Sequence, residues 1–297
     1  MRKLTIVLAL SLIMIIGLSA GIAAQDLRIG LSVSTLNNPF FVDLKDGAES
    51  MAEEMDVEIS VVDAQDDAAS QLSSIEDLLI RDIDVLIINP VDGDAVVSAI
   101  TAANDAGIPV ITVDRGSEGG EVVSHIASDN VEGGEMAGDF IAEELGEEGK
   151  VVELEGIPGT SAARDRGEGF NKSMDKHSGL EVIARQPADF DRAEGMTVME
   201  NILQGNSEID AVFAHNDNMA LGAMEAIEAA GREDEIIIVG FDAIDDAVEA
   251  VEEGDLAATI AQKPTLMGEM AVETAVKVAN DEEVDEFTAV PLELITE

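Results

Sequence analysis

The chain has 297 residues, 46% of them hydrophobic, enough to bury one large core or two ordinary ones, and it is not a disordered acidic tail. Its formal net charge of -47, from 63 acidic against 16 basic side chains, excludes a surface for nucleic acid or anionic lipid. Cysteine is absent, which excludes a disulfide framework, a thiol nucleophile and a cysteine-ligated metal.

The chain begins MRKLTIVLALSLIMIIGLSAGIAAQ: two cations, an apolar run, then small residues around Ala23 and Ala24. That order predicts a secretory signal peptide over residues 1–24, the alternative being a retained membrane anchor. No later stretch is apolar enough to span a bilayer. The mature chain is therefore expected to be exported, and with no cysteine at the cleavage site to carry a lipid, to diffuse freely in a periplasm.

The first strand, RIGLSV, runs into STLNNPFFVDLKDG. Asn38-Pro39 has the form of a helix cap followed by proline at the first helical position. Phe40 continues at helical spacing into Leu44, Ala48, Met51 and Met55, so core packing and ligand contact both remain open for it, while Phe41 fits that stripe poorly. Next come the strand EISVVDA, the helical SQLSSIEDLLI, and the strands VLIINPV, ending at Asn89, and IPVITVD, ending at Asp114 and Arg115. A polar passage over residues 122–135 follows, holding the run VVSHIAS.

Beyond it, KVVELEG leads to GIPGTSAARDRGEGF, where Arg164 and Arg166 read either as partners of the acidic surface or as ligand contacts. After EVIARQP, Phe190 sits between aspartates in QPADFDR, outside any apolar run, and is expected to face a cleft. AVFA ends at His215, Asn216 and Asp217, IIIVGF at Asp242, and AATIA at Gln262; Phe213 and Phe241, inside strands, are expected in the core.

Valine- and isoleucine-rich strands alternating with helices imply an α/β protein with parallel sheets covered on both faces. So many strands predict two similar lobes, the chain crossing near Ser128, again near Gln262, and in its last residues either staying or crossing once more. In open α/β sheets ligands sit outside the carboxyl ends of the strands, where these polar residues fall. Amides, carboxylates and guanidinium forks suit hydroxyl groups, and aromatic faces suit the C–H faces of a sugar ring.

An enzyme is the rival class. The Gly-rich stretch lacks a P-loop lysine, no GxGxxG follows the first strand, and there is no GxSxG elbow. His125, His177 and His215 are scattered without HExxH spacing, and no calcium loop of alternating acids appears. Asp114 and Asp242 could do acid and base work on a sugar, but the exported, cofactor-free context favours binding. The acids are spread over every helical segment, which predicts a surface adapted to high salt and a stability that rises with it.

The stretches STLNNPFFVDLKDGA, LLIRDIDVLIINPVDGDAV, IPVITVDR, EVVSHIASDNVEGG, GTSAARDRGEGF, QPADFDR, AVFAHNDNMALGA, VGFD and LAATIAQ carry a resemblance over essentially the whole mature chain. It resembles the periplasmic sugar-binding proteins of type I fold, above all their ribose-binding members. The repressors of that family begin with a DNA-reading module, where here the leader stands. The resemblance implies two lobes, each a parallel sheet flanked by helices, joined by a three-segment hinge: residues 26–128 plus 263–291, and 129–262 plus 292–297. It implies that Asn38, Asp114, Arg115, Arg166, Asn216, Asp242 and Gln262 bind sugar hydroxyls and ring oxygen, and that Phe40, Phe41 and Phe190 sandwich the ring, with Arg164 in support. D-ribose, or another pentose, hexose or related hydroxylated molecule, is the ligand so implied, handed to an ABC-type permease in the inner membrane. Some members also signal through a chemoreceptor. No cofactor, metal or catalytic residue is implied, and the chain is expected to be a monomer.

Overall fold

The structure, a computed structural model, describes residues 27–296. The expected signal peptide and its cleavage site lie outside these residues.

The first run of elements is β1 (Arg28–Val33), α1 (Pro39–Glu54), β2 (Glu58–Asp63), α2 (Ala68–Ile80), β3 (Val85–Ile88), α3 (Val97–Asp105), β4 (Val110–Val113) and β5 (Ser124–Ser128). A second run follows: α4 (Asn130–Glu144), β6 (Glu148–Glu155), α5 (Ser161–Lys176), β7 (Gly179–Pro187), α6 (Arg192–Gly205), β8 (Ala211–Ala214), α7 (Asp217–Ala229), β9 (Ile237–Asp242), α8 (Asp245–Glu253) and β10 (Ala258–Ala261). The chain then returns through α9 (Pro264–Ala279) and β11 (Phe287–Val290) and ends with β12 (Glu293–Ile295).

These strands form two six-stranded sheets, ordered β11-β5-β4-β3-β1-β2 and β12-β10-β9-β8-β6-β7. Every pairing is parallel except the antiparallel one between β10 and β12. The chain passes between sheets after β5, after β10 and after β11. All the apolar runs read as strands are strands. The tail adds two short edge strands that its sequence did not announce.

Central strands β3, β4 and β8 are buried at every position, as expected for strands covered on both faces. In the first lobe α1 and α9 pack Leu44, Ala48, Met267 and Ala271 on one face, and α2 and α3 pack Ile75, Leu78 and Ile100 on the other. In the second lobe α6 and α7 cover one face with Met199, Ile202 and Leu221, and α4 and α5 cover the other with Ile141 and Phe170. Each such large aliphatic side chain removed from water stabilises the fold by about 1.5–3 kcal/mol. Phe213 and Phe241 are fully buried, as their strand positions predicted. Among the described residues no helix is long and apolar enough to cross a membrane.

Where helices cross, glycine lets backbones touch. A Cβ on Gly134 of α4 would lie 2.1 Å from the Arg166 carbonyl oxygen, and one on Gly169 of α5 would lie 2.0 Å from that of Val131. The same reciprocal arrangement joins α1 to α9, through Gly47 against Thr265 and Gly268 against Leu44.

Candidate ligand-binding site

Strand carboxyl ends and helix amino ends meet between the two sheets. Asn38 ends the loop after β1 and caps α1, its Oδ1 accepting from the Phe40 N–H at 3.0 Å. Asp114 and Arg115 follow β4, Asn216 follows β8 and caps α7, Asp242 closes β9, and Gln262 follows β10. Arg166 projects from the second turn of α5, whose cap, Thr160, accepts from the Ala163 N–H. Phe190 sits in the turn between β7 and α6.

These side chains line one narrow slot, open to solvent at its mouth, with about 240 Å³ of empty space counted out to that mouth. Its walls are Asn38, Phe40, Phe41, Asp114, Arg115, Arg166, Phe190, Asn216, Asp242 and Gln262, the whole expected set, together with Ala162. Ala162 escaped the sequence reading, although it lies one helical turn before Arg166 on the same face of α5. Arg164 lies outside, exposed, paired with Asp165 and with Glu118 of the opposite lobe. Beside the slot, a wider opening of about 770 Å³ by the β10–α9 crossing shares Phe40, Asp242 and Gln262 with it.

The charged groups form an alternating ring. The Asp114 carboxylate accepts from Asn89 Nδ2 at 3.1 Å and lies 3.8 Å from the Arg115 Nε. Arg166 donates from Nε to Asn130 Oδ1 at 2.8 Å, and from Nη1 to the His215 carbonyl at 2.5 Å and to Asp242 Oδ1 at 3.5 Å. Asp242 Oδ1 also accepts from Gln262 Nε2 at 2.7 Å. Aromatic faces lie against the guanidinium groups: Arg115 is 5.1 Å from the Phe41 ring centroid and 5.3 Å from that of Phe190, and Arg166 is 3.8 Å from that of Phe241. Phe40 and Phe41 meet edge to face at 5.2 Å.

Burial sets the titration of these groups. Burial raises Asp114 against the pull of Arg115 and Arg166. It pushes Asp242 up to about 6, opposed by Arg166 and the Gln262 hydrogen bond. Both arginines are lowered by burial, which Asp114 opposes at Arg115 and Asp242 at Arg166. Behind the ring, Asp217 is raised by burial and by Asp242, while accepting from Thr259 Oγ1 at 2.7 Å and the Ile244 N–H at 2.9 Å.

Two features stand out among the residues that line the slot. Arg115 Nε and Gln262 Oε1 are buried without hydrogen-bond partners, a condition that costs about 1–3 kcal/mol per group. Asp114, Phe190 and Asp242 adopt positive φ of 61°, 58° and 118°, backbone strain of about 1–3 kcal/mol each that the surroundings must hold in place. Among the described residues, no group of three or more His, Cys, Asp or Glu is arranged to hold a metal ion.

Two parallel sheets whose strand ends face each other across such a slot define a solute-binding protein of two lobes. Residues 29–283 match the periplasmic binding protein domain family, and the chain belongs to that family. It is 52% identical over 299 residues to the ribose import binding protein RbsB of Haemophilus influenzae, covering 100% of both chains. To the protein of that name from Escherichia coli it is 51% identical over 288 residues, covering 96% of this chain and 97% of the other. A solved ABC transporter solute binding protein from Bacillus halodurans, with bound myo-inositol, superimposes with a TM-score of 0.87 at 38% identity, covering 91% of this chain and 94% of that one.

Proposed function

We propose that this chain captures D-ribose between its lobes in the periplasm and delivers it to an ABC-type permease. The observation that carries this reading is the convergence of ten hydroxyl- and ring-compatible side chains from both lobes on one slot, with a buried donor and a buried acceptor unpaired. A sugar hydroxyl both donates and accepts, so one class of ligand satisfies Gln262 Oε1 and Arg115 Nε together. Phe40 and Phe41 flank one face of the ring and Phe190 the other, while Asn38, Asp114, Arg115, Arg166, Asn216, Asp242 and Gln262 take the rim. Relatives of about half-identical sequence that are named for ribose import support this choice of sugar.

The lobes so used are residues 26–128 plus 263–291, and 129–262 plus 292–297. A ligand that touches both binds the closed arrangement better than the open one and shifts the population toward it. Residues 1–24 act as the cleaved leader, and a single copy of the chain supplies the whole site, so it works as a monomer. Docking to a chemoreceptor is a second use of the closed form.

A thermal-shift screen of monosaccharides in molar salt tests the proposal. Ribose at a thousand times its dissociation constant adds about 4 kcal/mol to stability. A folded protein that ignores ribose and all related sugars overturns it. Calorimetric readout is needed, because the chain has no Trp and no Tyr.

A further inference from the structure

Beneath the slot, behind its lining residues, a hydrogen-bonded chain runs from the exposed Arg185 through the buried Glu153 to the buried His215. Glu153 of β6 is fully buried; one carboxylate oxygen receives the Nε of Arg185 from β7, and the other lies 3.0 Å from His215 Nε2. The imidazole of His215, also fully buried, accepts at Nδ1 from the Gly156 N–H at 3.3 Å. A backbone N–H can only donate, so Nδ1 carries no proton and Nε2–H donates to the carboxylate. Glu155 on β6, Arg185 on β7 and Arg166 on α5 are the other charged groups around this imidazole.

The His215 end of this chain touches the walls of the slot. The His215 carbonyl receives Arg166 Nη1. The next residue, Asn216, donates from Nδ2 to the Phe190 carbonyl at 3.3 Å. Gly156 lies against the Phe190 ring so closely that a Cβ there would fall 2.0 Å from a ring atom.

We infer that His215, clamped by Glu153, is a positioning residue for sugar binding: its neutral Nε2–H imidazole ties the end of β8 to the end of β6 and so sets Arg166, Asn216 and Phe190 in register. The inference rests on the ribose reading above. It differs from ordinary core packing because the link is directional, and a side chain of similar volume without donor and acceptor does not replace it.

The test is ribose calorimetry on His215→Leu, His215→Gln, Arg166→Ala and the His215→Leu/Arg166→Ala double variant, with the melting temperature of each measured without sugar. His215→Leu weakens binding about tenfold, the worth of one charge-assisted hydrogen bond, and His215→Gln, which keeps an amide donor and acceptor, recovers most of that loss. In the Arg166→Ala background His215→Leu costs clearly less than its tenfold in wild type, the part that remains being what it carries through Asn216 and Phe190, the non-additivity expected of a residue acting partly through another. Ribose binding by His215→Leu equal to wild type, or losses that simply multiply, overturns the inference. If His215→Leu does not fold, Glu153→Gln takes its place in the same cycle. Long-range proton–nitrogen spectra of the wild-type protein give an independent reading: His215 shows the Nε2–H tautomer, and an Nδ1–H tautomer refutes the clamp. A wild-type protein that binds no ribose fails the functional proposal instead, so the two failures are distinguishable.

Discussion

Arg166 shows how a buried cation is held in place by its neighbours. Asn130 Oδ1, the His215 carbonyl and, at longer distance, Asp242 Oδ1 accept hydrogen bonds from its guanidinium, and the Phe241 ring lies against its face. Arg166→Ala is expected to weaken ribose binding at least about tenfold in calorimetry, the size of one charge-assisted hydrogen bond. Asp242 brings a pH dependence. Its carboxyl, raised by burial to about 6, contributes stability in the sugar-free protein that is fully present below the ordinary carboxylate value and is lost as pH rises through about 6. On the proposed binding mode sugar hydroxyls would donate to the ionised form, so ribose affinity is expected to rise from pH 5 to pH 7, with a proton released on binding near pH 6. Calorimetry in buffers of different ionisation enthalpy detects that proton, and Asp242→Asn removes its share. Side-chain chemistry at strand ends was legible in the sequence because polar residues there interrupt apolar runs. Phe40 was not decidable, since it serves both purposes, packing in the core cluster of the first lobe and lining the slot. The left-handed backbone of Phe190 leaves no mark on residue type at all.

Helix crossings decide where such side chains end up. Because Gly134 and Gly169 bring α4 and α5 into backbone contact, and Arg166 rides on α5, any added atom at the crossing is expected to displace the slot-lining face of α5 as well as the core. Gly169→Ala would put its methyl group against the Val131 carbonyl, a backbone atom with no rotamer to give. A loss of about 1–3 kcal/mol in urea unfolding is expected, with weaker ribose binding even where the variant remains folded. Central strands were legible because fully buried runs of valine and isoleucine have no other use. Strands β11 and β12 were not, being four and three residues long at sheet edges, with several exposed positions and no alternation to read. The glycine crossings were equally silent, for a glycine's partner across a helix pair appears only when the two helices are placed.

At the scale of the whole molecule, charge dominates. With a formal net charge of -47, like-charged surfaces approach where the lobes meet: the Asp43 carboxyl of α1 is raised by burial first and then by the charge of Asp245 at the start of α8. Raising ionic strength from about 0.1 M to about 1 M shortens the screening length from about 10 Å to about 3 Å. The urea midpoint of the sugar-free protein is therefore expected to rise with potassium chloride over that range, and a flat or falling midpoint would remove the high-salt reading of the surface. The chain's path adds a constraint on how the molecule is made. Helix α9 and strand β11 complete the first lobe, although some 130 residues of the second lie between them and β5. On a ribosome, the half that starts first must then wait for Met267, Ala271 and Val290 before its interior can close. With its first lobe completed only by its last segments, the first half of the chain is expected to close late, after nearly all of the polypeptide has been made.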